Sequence, residues 1–195
     1  DAGASHITVE IKAGGVAYIR VMDDGCGMTA EDTKVCLLRH ATSKISTAED
    51  LAAIHTLGFR GEALASIAAV SKLDIYTKAM EEECGTHLSC VCGEMAEPEE
   101  AGCPQGTTVV VRDLFCSTPA RMKFLKKDYT EAGYIEDMLN RLALSHPEIS
   151  FKLIHNGKEV LFTAGDGDLL NCVYSVYGKE VGKAMTPVHF EELPV

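Results

Sequence analysis

The sequence predicts an α/β (α+β) two-layer sandwich, with a mixed, mostly antiparallel sheet and helices on one face. Predicted strands outnumber what a parallel βαβ repeat would need. Hairpin signals also occur near both ends of the chain, at Ala13-Gly14-Gly15 and at Asn156-Gly157. A length of 195 residues allows one large domain, or one domain with part of another.

The predicted strands follow from alternation and composition. Residues 6–12 alternate apolar and polar side chains, as a half-buried strand does, and residues 16–22 run back as the hairpin partner. Residues 107–113 open with a β-branched run that favours a strand. The other predicted strands are 73–78, 87–92, 150–155 and 158–163. The acidic stretch 94–102 is predicted to be a connection.

Helices are predicted between these strands. Thr29 to Asp32 resembles a capping box, and it opens a helix in which we expect Val35 and Leu38 to face inward. A short helix is predicted at 49–55, and another follows Glu62, where Leu64, Ile67 and Ala68 recur at helical spacing. Thr118-Pro119 starts a further helix, since Pro is tolerated at the first helical position. The last two predicted helices are 134–145, with Ile135, Met138, Leu139 and Leu142 at helical spacing, and 168–177, which Gly178 ends.

Composition excludes several classes of protein. The formal net charge of −11 argues against a domain that binds DNA by itself, because contacts with DNA phosphates need clustered Lys and Arg. No apolar run approaches the ~20 residues that cross a bilayer, and no signal peptide is evident, so we expect a cytoplasmic protein without a membrane partner. The eight cysteines are expected to be free thiols. Zinc held by Cys84, His87, Cys90, Cys92 and Cys103 is a weaker alternative, since the spacing contains no CxxC pair.

A carboxylate followed by glycines ends one predicted strand. In Asp23-Asp24-Gly25-Cys26-Gly27-Met28, the Asp23 carboxylate needs a donor partner, and the glycines would let a flat ligand approach the backbone. Such a site suits adenine, whose exocyclic amine can donate to the carboxylate. A plain type I turn explains the same residues.

A glycine-flanked loop precedes a predicted helix at Gly58-Phe59-Arg60-Gly61. Unpaired backbone amides at the start of a helix bind phosphate groups well, so this loop is a candidate phosphate site. It lacks the Lys-Ser/Thr ending of a P-loop. Alternatively, Gly58 ends the preceding helix as a left-handed cap. The polar segment 40–47, here called the lid segment, is either a solvated connection or a cover over a nucleotide. The basic residues of 121–127 are predicted to form a solvated helix surface.

The order of these parts resembles the GHKL ATPases, which include gyrase, heat-shock chaperones, histidine kinases and MutL proteins. Within that group the match is with the MutL DNA mismatch repair family. The segments that carry it are DAGA at 1–4, DDGCGM at 23–28, RHATSKI at 39–45, LGFRGEALASI at 57–67, GTTVVVRDLF at 106–115 and TPARMKFLK at 118–126. Ser117 departs from the usual Asn before Thr-Pro-Ala-Arg, with little effect expected because both can cap a helix.

The resemblance implies a site for ATP. Asp23 would read the adenine above Gly25 and Gly27, Thr108 would support the adenine through water, and Ala2 and Met28 would line the base pocket. Ala41, Thr42 and Ser43 would belong to the lid. The phosphate cradle would comprise Leu57, Gly58, Phe59, Arg60, Gly61, Glu62, Ala63 and Leu64.

The resemblance also implies slow ATP hydrolysis with Mg²⁺. The family's general base is a Glu, and its magnesium ligand an Asn, on a helix just before the DAGA segment, which places both upstream of Asp1. We therefore expect this chain to be a fragment that lacks both residues and is inactive alone, since Glu62 is no substitute. A non-hydrolysing module that binds nucleotide or partner proteins is the alternative.

Domain organisation and partners follow from the same resemblance. Residues 1–164 would form the ATP-binding domain, and residues 165–195 the incomplete beginning of a transducer domain resembling domain 2 of ribosomal protein S5. In the intact protein, ATP would drive formation of a homodimer that couples mismatch recognition by MutS to strand incision. DNA would be contacted by regions outside this chain.

Overall fold

The computed structural model describes residues 1–42, 57–58, 60–186 and 188. A nine-stranded sheet organises this part of the chain. Its strands are β1 (His6–Lys12), β2 (Tyr18–Asp23), β3 (Lys72–Lys78), β4 (Gly85–Val91), β5 (Glu94–Met95), β6 (Glu99–Ala101), β7 (Gly106–Arg112), β8 (Ser150–His155) and β9 (Lys158–Phe162). The helices described are α1 (Ala30–Val35), α2 (Ala63–Ala68), α3 (Pro119–Met122), α4 (Asp128–Ser145) and α5 (Leu169–Ala184), and a 3-10 turn spans Ala13–Gly15.

The sheet is mixed and mostly antiparallel, as predicted. Its strand order is β5-β4-β3-β7-β2-β1-β8-β9, with β6 also pairing with β4. Only the pairing of β1 with β8 is parallel among the strand pairs described. The predicted hairpins at 13–15 and 156–157 join β1 to β2 and β8 to β9.

The helices cover one face of the sheet, which confirms the two-layer architecture. Strand residues alternate between faces, so residues in register across neighbouring strands share a face. One such row runs through Ile11, Ile19, Val111, Leu73 and Cys90. It joins two core clusters, one under α4 and α5 and one beside α1 and α2, and Ile19 packs against both. Cys172 of α5 is buried in the first of these clusters.

The inward face predicted for the helix after Thr29 was wrong. Val35 and Leu38 are 44% and 49% exposed, whereas Thr33 and Leu37 are the buried side chains of this segment. In α4, Met138 is 65% exposed. Ala132, Leu139 and Ala143 of that helix are buried, and Ile135, Leu142 and Leu144 pack partly buried against the same core. Three of the four apolar residues noted at helical spacing, Ile135, Leu139 and Leu142, therefore reach the core, and Met138 does not.

Other boundaries also differ from the sequence predictions. The acidic stretch 94–102 contains β5 and β6, which extend the sheet edge beyond β4. The last helix is interrupted at Gly178, where φ is 83°, and continues to Ala184. The helix predicted at 49–55 lies outside the described residues. No helix in the described part of the chain has the length and apolarity needed to span a membrane.

The face of the sheet opposite the helices carries a charged network. His87 on β4 contacts Asp74 on β3 through Nε2 at 3.0 Å and Glu99 on β6 through Nδ1 at 2.9 Å. Arg112 on β7 forms an ion pair with the same Asp74. The His87 ring stacks on Tyr76, with ring centroids 4.3 Å apart. These contacts hold the strands of the open face together.

The network predicts a pH-dependent stability. Partial burial alone would lower the pKa of His87, but the hydrogen bonds to Glu99 and Asp74 outweigh burial and raise that pKa above its usual 6.5. A folded-state pKa above the unfolded value means that the imidazolium stabilises the fold fully below about pH 6.5. This contribution is lost as the pH rises through the raised pKa.

His87→Gln should therefore remove part of the pH dependence. We expect the variant to lose about 1–2 kcal/mol of unfolding free energy at pH 6, and less at pH 9, because the lost hydrogen bonds are charge-assisted but partly exposed. Urea unfolding at several pH values measures this difference. His155→Gln, outside the network, serves as the control. Parallel pH profiles for the parent and His87→Gln would refute the assignment.

Candidate functional site

A cavity of about 1000 Å³ lies between the Asp-Gly turn, α1 and the glycine loop. Its lining residues come from four segments of the chain: Cys26, Gly27, Met28, Asp32, Val35, Cys36, Ala41, Thr42, Leu57, Gly58, Arg60, Gly61, Glu62, Ala63 and Leu64. The volume is in the range of pockets that bind small organic ligands and cofactors.

The turn at 25–28 is fastened to the sheet by Thr77. This side chain is fully buried, and its hydroxyl oxygen accepts a hydrogen bond from the Met28 amide at 2.9 Å. The same hydroxyl lies 3.1 Å from the Gly106 carbonyl and 3.0 Å from the Thr107 hydroxyl. Thr77 therefore connects the cavity wall with strand β7.

Asp23 stands at the end of β2, beside the wall formed by Cys26 to Met28. Its Oδ1 accepts a hydrogen bond from the Gly25 amide at 2.9 Å. A Cβ on Gly25 would lie 2.8 Å from the Ala2 carbonyl oxygen and 3.0 Å from Asp23 Oδ1. The Ala2 carbonyl in turn accepts from the Cys26 amide. Asp23, Gly25 and Ala2 thus adjoin the cavity without lining it.

The structure does not bring Thr108 to this site. Asp23 pairs with Thr107 across β2 and β7, and Thr107 also pairs with Thr77 on β3. Because strand side chains alternate, Thr107 shares the helix-covered face with Asp23, and Thr108 lies on the open face opposite Tyr76. The hydroxyl beside Asp23 and Thr77 is that of Thr107.

Segments of the predicted lid and phosphate cradle meet at Gly61. Its φ is +62°, and a Cβ there would lie 2.1 Å from the Ala41 carbonyl oxygen. His40 Nδ1 lies 3.3 Å from Glu62 Oε1, which adds an exposed contact between the same two segments. Helix α2 begins directly after Glu62, and the first amides of a helix have no acceptor within it.

The predicted site residues are thus divided into four groups. Those that line the cavity are Gly27, Met28, Ala41, Thr42, Leu57, Gly58, Arg60, Gly61, Glu62, Ala63 and Leu64. Ala2, Asp23 and Gly25 adjoin it, and Thr108 is on the opposite face. Ser43 and Phe59 lie outside the described residues.

No catalytic or metal-binding residue was predicted within the chain itself. The resemblance places the general base and the magnesium ligand upstream of Asp1. Asp1 is exposed, and it does not line the cavity, although the neighbouring Ala2 adjoins it. The acidic side chains among the lining residues are those of Asp32, on α1, and Glu62, at the start of α2. The Glu and Asn of the family therefore stay predictions about the helix before Asp1.

Six residues that line or support the cavity were not predicted from the sequence. Cys26, Asp32, Val35 and Cys36 line the cavity, and Thr77 and Thr107 support it. Positions 32, 35 and 36 follow Met28 at helical spacing, so the pattern held a signal for one wall of the cavity. No local signal marks Thr77, whose role depends on strand pairing.

The Cys36 thiol in the cavity wall is a poor nucleophile at neutral pH. Burial, with Asp32 nearby, raises the pKa of Cys36 to about 11, so this thiol is neutral at physiological pH. Within the described ranges, no three His, Cys, Asp or Glu side chains are grouped to hold a metal ion. His87 of the alternative zinc set is bonded instead to Asp74 and Glu99.

Comparison with known proteins identifies the family. Residues 1–100 match the family model described as histidine kinase-, DNA gyrase B- and HSP90-like ATPase. The DNA mismatch repair protein MutL of Agathobacter rectalis is 47% identical over 191 residues, covering 98% of this chain and 30% of the relative. That of Desulforudis audaxviator is 51% identical over 192 residues, covering 98% and 34%. This chain therefore spans about a third of the length of these curated relatives.

A solved structure agrees with the sequence matches. The Aquifex aeolicus MutL ATPase domain complexed with ADP superimposes with a TM-score of 0.75 at 32% identity, covering 91% of this chain and 62% of that chain. The chain belongs to the histidine kinase-, DNA gyrase B- and HSP90-like ATPase family. Within that family it corresponds to the ATPase domain of the MutL DNA mismatch repair proteins.

Proposed function

We propose that this chain binds ATP in the cavity between the Asp-Gly turn and the glycine loop, as part of a MutL protein that hydrolyses ATP during DNA mismatch repair. One observation carries the proposal: a single cavity is lined both by the turn that follows Asp23 and by the glycine loop with the start of α2. The turn would contact the adenine at one end of the cavity, and the glycine loop would contact the phosphates at the other.

At one end of the cavity, a carboxylate and a hydroxyl would form hydrogen bonds with the adenine. Asp23 Oδ1 is already engaged with the Gly25 amide, which leaves the second carboxylate oxygen to accept from the exocyclic amine. Thr107 is held beside it by Thr77 and would supply the hydroxyl that the resemblance assigned to Thr108. Val35 and Met28 would give the base an apolar surface.

The phosphate end would be held by main-chain nitrogens. Amides of the glycine loop and the first turn of α2 can bind an anion without a charged side chain. Arg60 and Thr42 line the same cavity. Mg²⁺ would need ligands beyond the described side chains, since these offer no three-residue metal group, and the phosphates themselves are such ligands.

Hydrolysis would depend on residues that the family places upstream of Asp1. There the resemblance locates the Glu that acts as general base and the Asn that binds magnesium. We therefore infer that the 195-residue chain alone binds nucleotide with little turnover. In the intact protein, ATP would stabilise the closed lid and a homodimer, and this switch would act with MutS on DNA in the cytoplasm. Residues 165–195 would begin the transducer domain.

Base selectivity tests the proposal directly. ATP presents a donor amine to Asp23, whereas GTP presents a carbonyl oxygen that a carboxylate repels. Calorimetric titration of this chain should show ATP binding at least about 30-fold tighter than GTP binding, because a buried polar mismatch costs about 2–3 kcal/mol. Equal affinities for ATP and GTP, or binding of inorganic triphosphate as tight as that of ATP, would refute adenine recognition.

The two neighbouring threonines provide a matched pair. Thr107→Val should weaken ATP binding about tenfold, because it removes a hydroxyl on the Asp23 face. Thr108→Val, on the open face, should leave the affinity within about twofold. The same titration measures both variants. The reverse ranking would restore the role to Thr108.

Dimerisation is tested on a longer protein. A MutL chain that includes the upstream helix should sediment as a dimer with a non-hydrolysable ATP analogue and as a lighter species without it. A species that is unchanged by nucleotide would argue against the switch while leaving the binding site intact.

A further inference from the structure

Two cysteines face each other at the end of the sheet where β3 begins and β4 and β7 end. Lys72, the first residue of β3, pairs with Val91 at the end of β4 and with Arg112 at the end of β7. Cys92 follows β4 directly, and Cys116 comes four residues after β7. Strand order therefore brings together two residues that are 24 positions apart in sequence.

The two sulfurs are close, and the backbone holds them there. Cys92 Sγ and Cys116 Sγ are 3.0 Å apart, about 1 Å longer than a disulfide bond. The Cys92 amide donates to the Ser71 carbonyl at 2.8 Å, and the Phe115 amide donates to the Val70 carbonyl at 2.7 Å. Both turns are thereby anchored to the residues that link α2 to β3.

Unusual backbone conformations orient both turns. Cys92 has a φ of 49°, and Asp113 and Phe115 have φ values of 52° and 67°. L residues seldom adopt this region, so tertiary contacts must hold them there. The approach of the sulfurs is thus built into two hydrogen-bonded turns and does not depend on one flexible side chain.

The cysteine pair is accessible from solvent. Cys116 is exposed and Cys92 is partly buried, so small oxidants reach the pair from solvent. The hydrogen bond between the two sulfurs raises the pKa of Cys116 above its usual value, although the positive charge of Lys72 acts in the opposite direction, so the Cys116 thiolate forms mainly at alkaline pH. Lys72 Nζ is held by Asp113 at 2.7 Å. The other buried cysteines, Cys90 and Cys172, lie inside the two core clusters.

We propose that Cys92 and Cys116 are a modification site at which a peroxide forms a reversible disulfide. The Cys116 thiolate attacks a peroxide oxygen, so an S–O bond forms, the O–O bond breaks and the departing oxygen takes a proton to become water. The Cys92 sulfur, as thiolate, then attacks the sulfenic sulfur, so the S–S bond forms and the S–O bond breaks with loss of a second water. Two thiols are oxidised and one hydrogen peroxide is reduced to two waters.

This site is separate from the proposed nucleotide cavity. The bridge would close a loop that contains β5, β6 and β7, and it would lock the turn after β4 to the segment before α3. A thiol reductant such as glutathione or thioredoxin would reopen it by exchange, as expected for a pair used transiently in a reducing compartment.

Mass spectrometry of the 195-residue chain tests the proposal. The reduced protein is treated with a few equivalents of hydrogen peroxide, alkylated and digested without reductant. We expect a cross-link between the peptides that contain Cys92 and Cys116, with both cysteines protected from alkylation, and formation should quicken from about pH 7 to about pH 9 because the thiolate reacts. Oxidised protein should melt about 5–10 °C higher than reduced protein, and dithiothreitol should reverse the shift.

Matched variants separate this pair from general thiol oxidation. Cys92→Ser and Cys116→Ser should each abolish the cross-link and the melting shift, whereas Cys84→Ser, at another exposed cysteine, should change neither. The proposal is overturned if peroxide carries Cys116 to sulfinic acid without linking Cys92. A disulfide formed with a different cysteine at comparable yield would overturn it equally.

Discussion

Asp23→Asn should reduce ATP affinity by about 100-fold or more, which is the largest binding effect expected for a single side-chain change in this chain. The Asn side chain keeps an oxygen for the Gly25 amide, but it turns a donor amide toward the donor amine of adenine. Two donors would then face each other. Isothermal titration calorimetry with ATP measures the loss directly.

The adjacent Asp24→Asn provides a matched control. Asp24 accepts hydrogen bonds from the Ser5 and His6 amides and contacts the His6 ring at 2.7 Å, and it does not line the cavity. This variant should shift the melting temperature slightly and leave ATP affinity within about threefold, because its contacts are exposed. Equal loss of affinity in both variants would show that the turn matters only as a folded unit, and an unaffected Asp23→Asn would remove Asp23 from the site.

The sequence predicted secondary structure best where the signal lies within one short segment. Alternation over 6–12 and the hairpin signals predicted β1, β2, β8 and β9, and all four strands are present at nearly the expected bounds. The capping interaction at Thr29 was predicted correctly as well, since its side chain accepts from the Asp32 amide. Signals of this kind depend on residues a few positions apart.

The sequence was least informative where a role depends on strand register. Thr107 and Thr108 are adjacent, and a shift of one residue exchanges the faces that they occupy. Only the pairing of β2 with β7 and of β3 with β7 establishes that Thr107 stands beside Asp23. Thr77 joins the site through the same pairing, although it is 49 positions from the Met28 amide that it binds.

The prediction for α1 was wrong for a different physical reason. An apolar side chain at helical spacing was expected to enter the core, but α1 borders a cavity. Val35 therefore lines that cavity, while Thr33 and Leu37 are buried. A ligand-facing apolar wall and a core-facing stripe have the same sequence pattern. The pattern alone cannot distinguish a helix that packs on protein from one that packs on a ligand.

Gly27→Ala should lower the free energy of unfolding by about 3–5 kcal/mol, since it combines backbone strain with a clash. The φ of Gly27 is +69°, and a Cβ there would lie 2.0 Å from the Lys78 carbonyl oxygen at the end of β3. The turn cannot easily move away from β3, because the Met28 amide is hydrogen-bonded to Thr77 on the same strand. Urea unfolding measures the loss, and ATP titration below the transition should show weakened binding as the turn moves.

Gly58→Ala provides the control within the same cavity. Among the described residues no atom lies within 4 Å of a Cβ at position 58, and its φ is outside the left-handed region. We expect this variant to retain its stability within about 0.5 kcal/mol, because the added methyl group meets no described neighbour and the φ of this residue suits Ala. If Gly27→Ala were equally well tolerated, the close approach of the Asp-Gly turn to β3 would be wrong. The cavity would then lack the fixed wall on which the proposed adenine recognition depends.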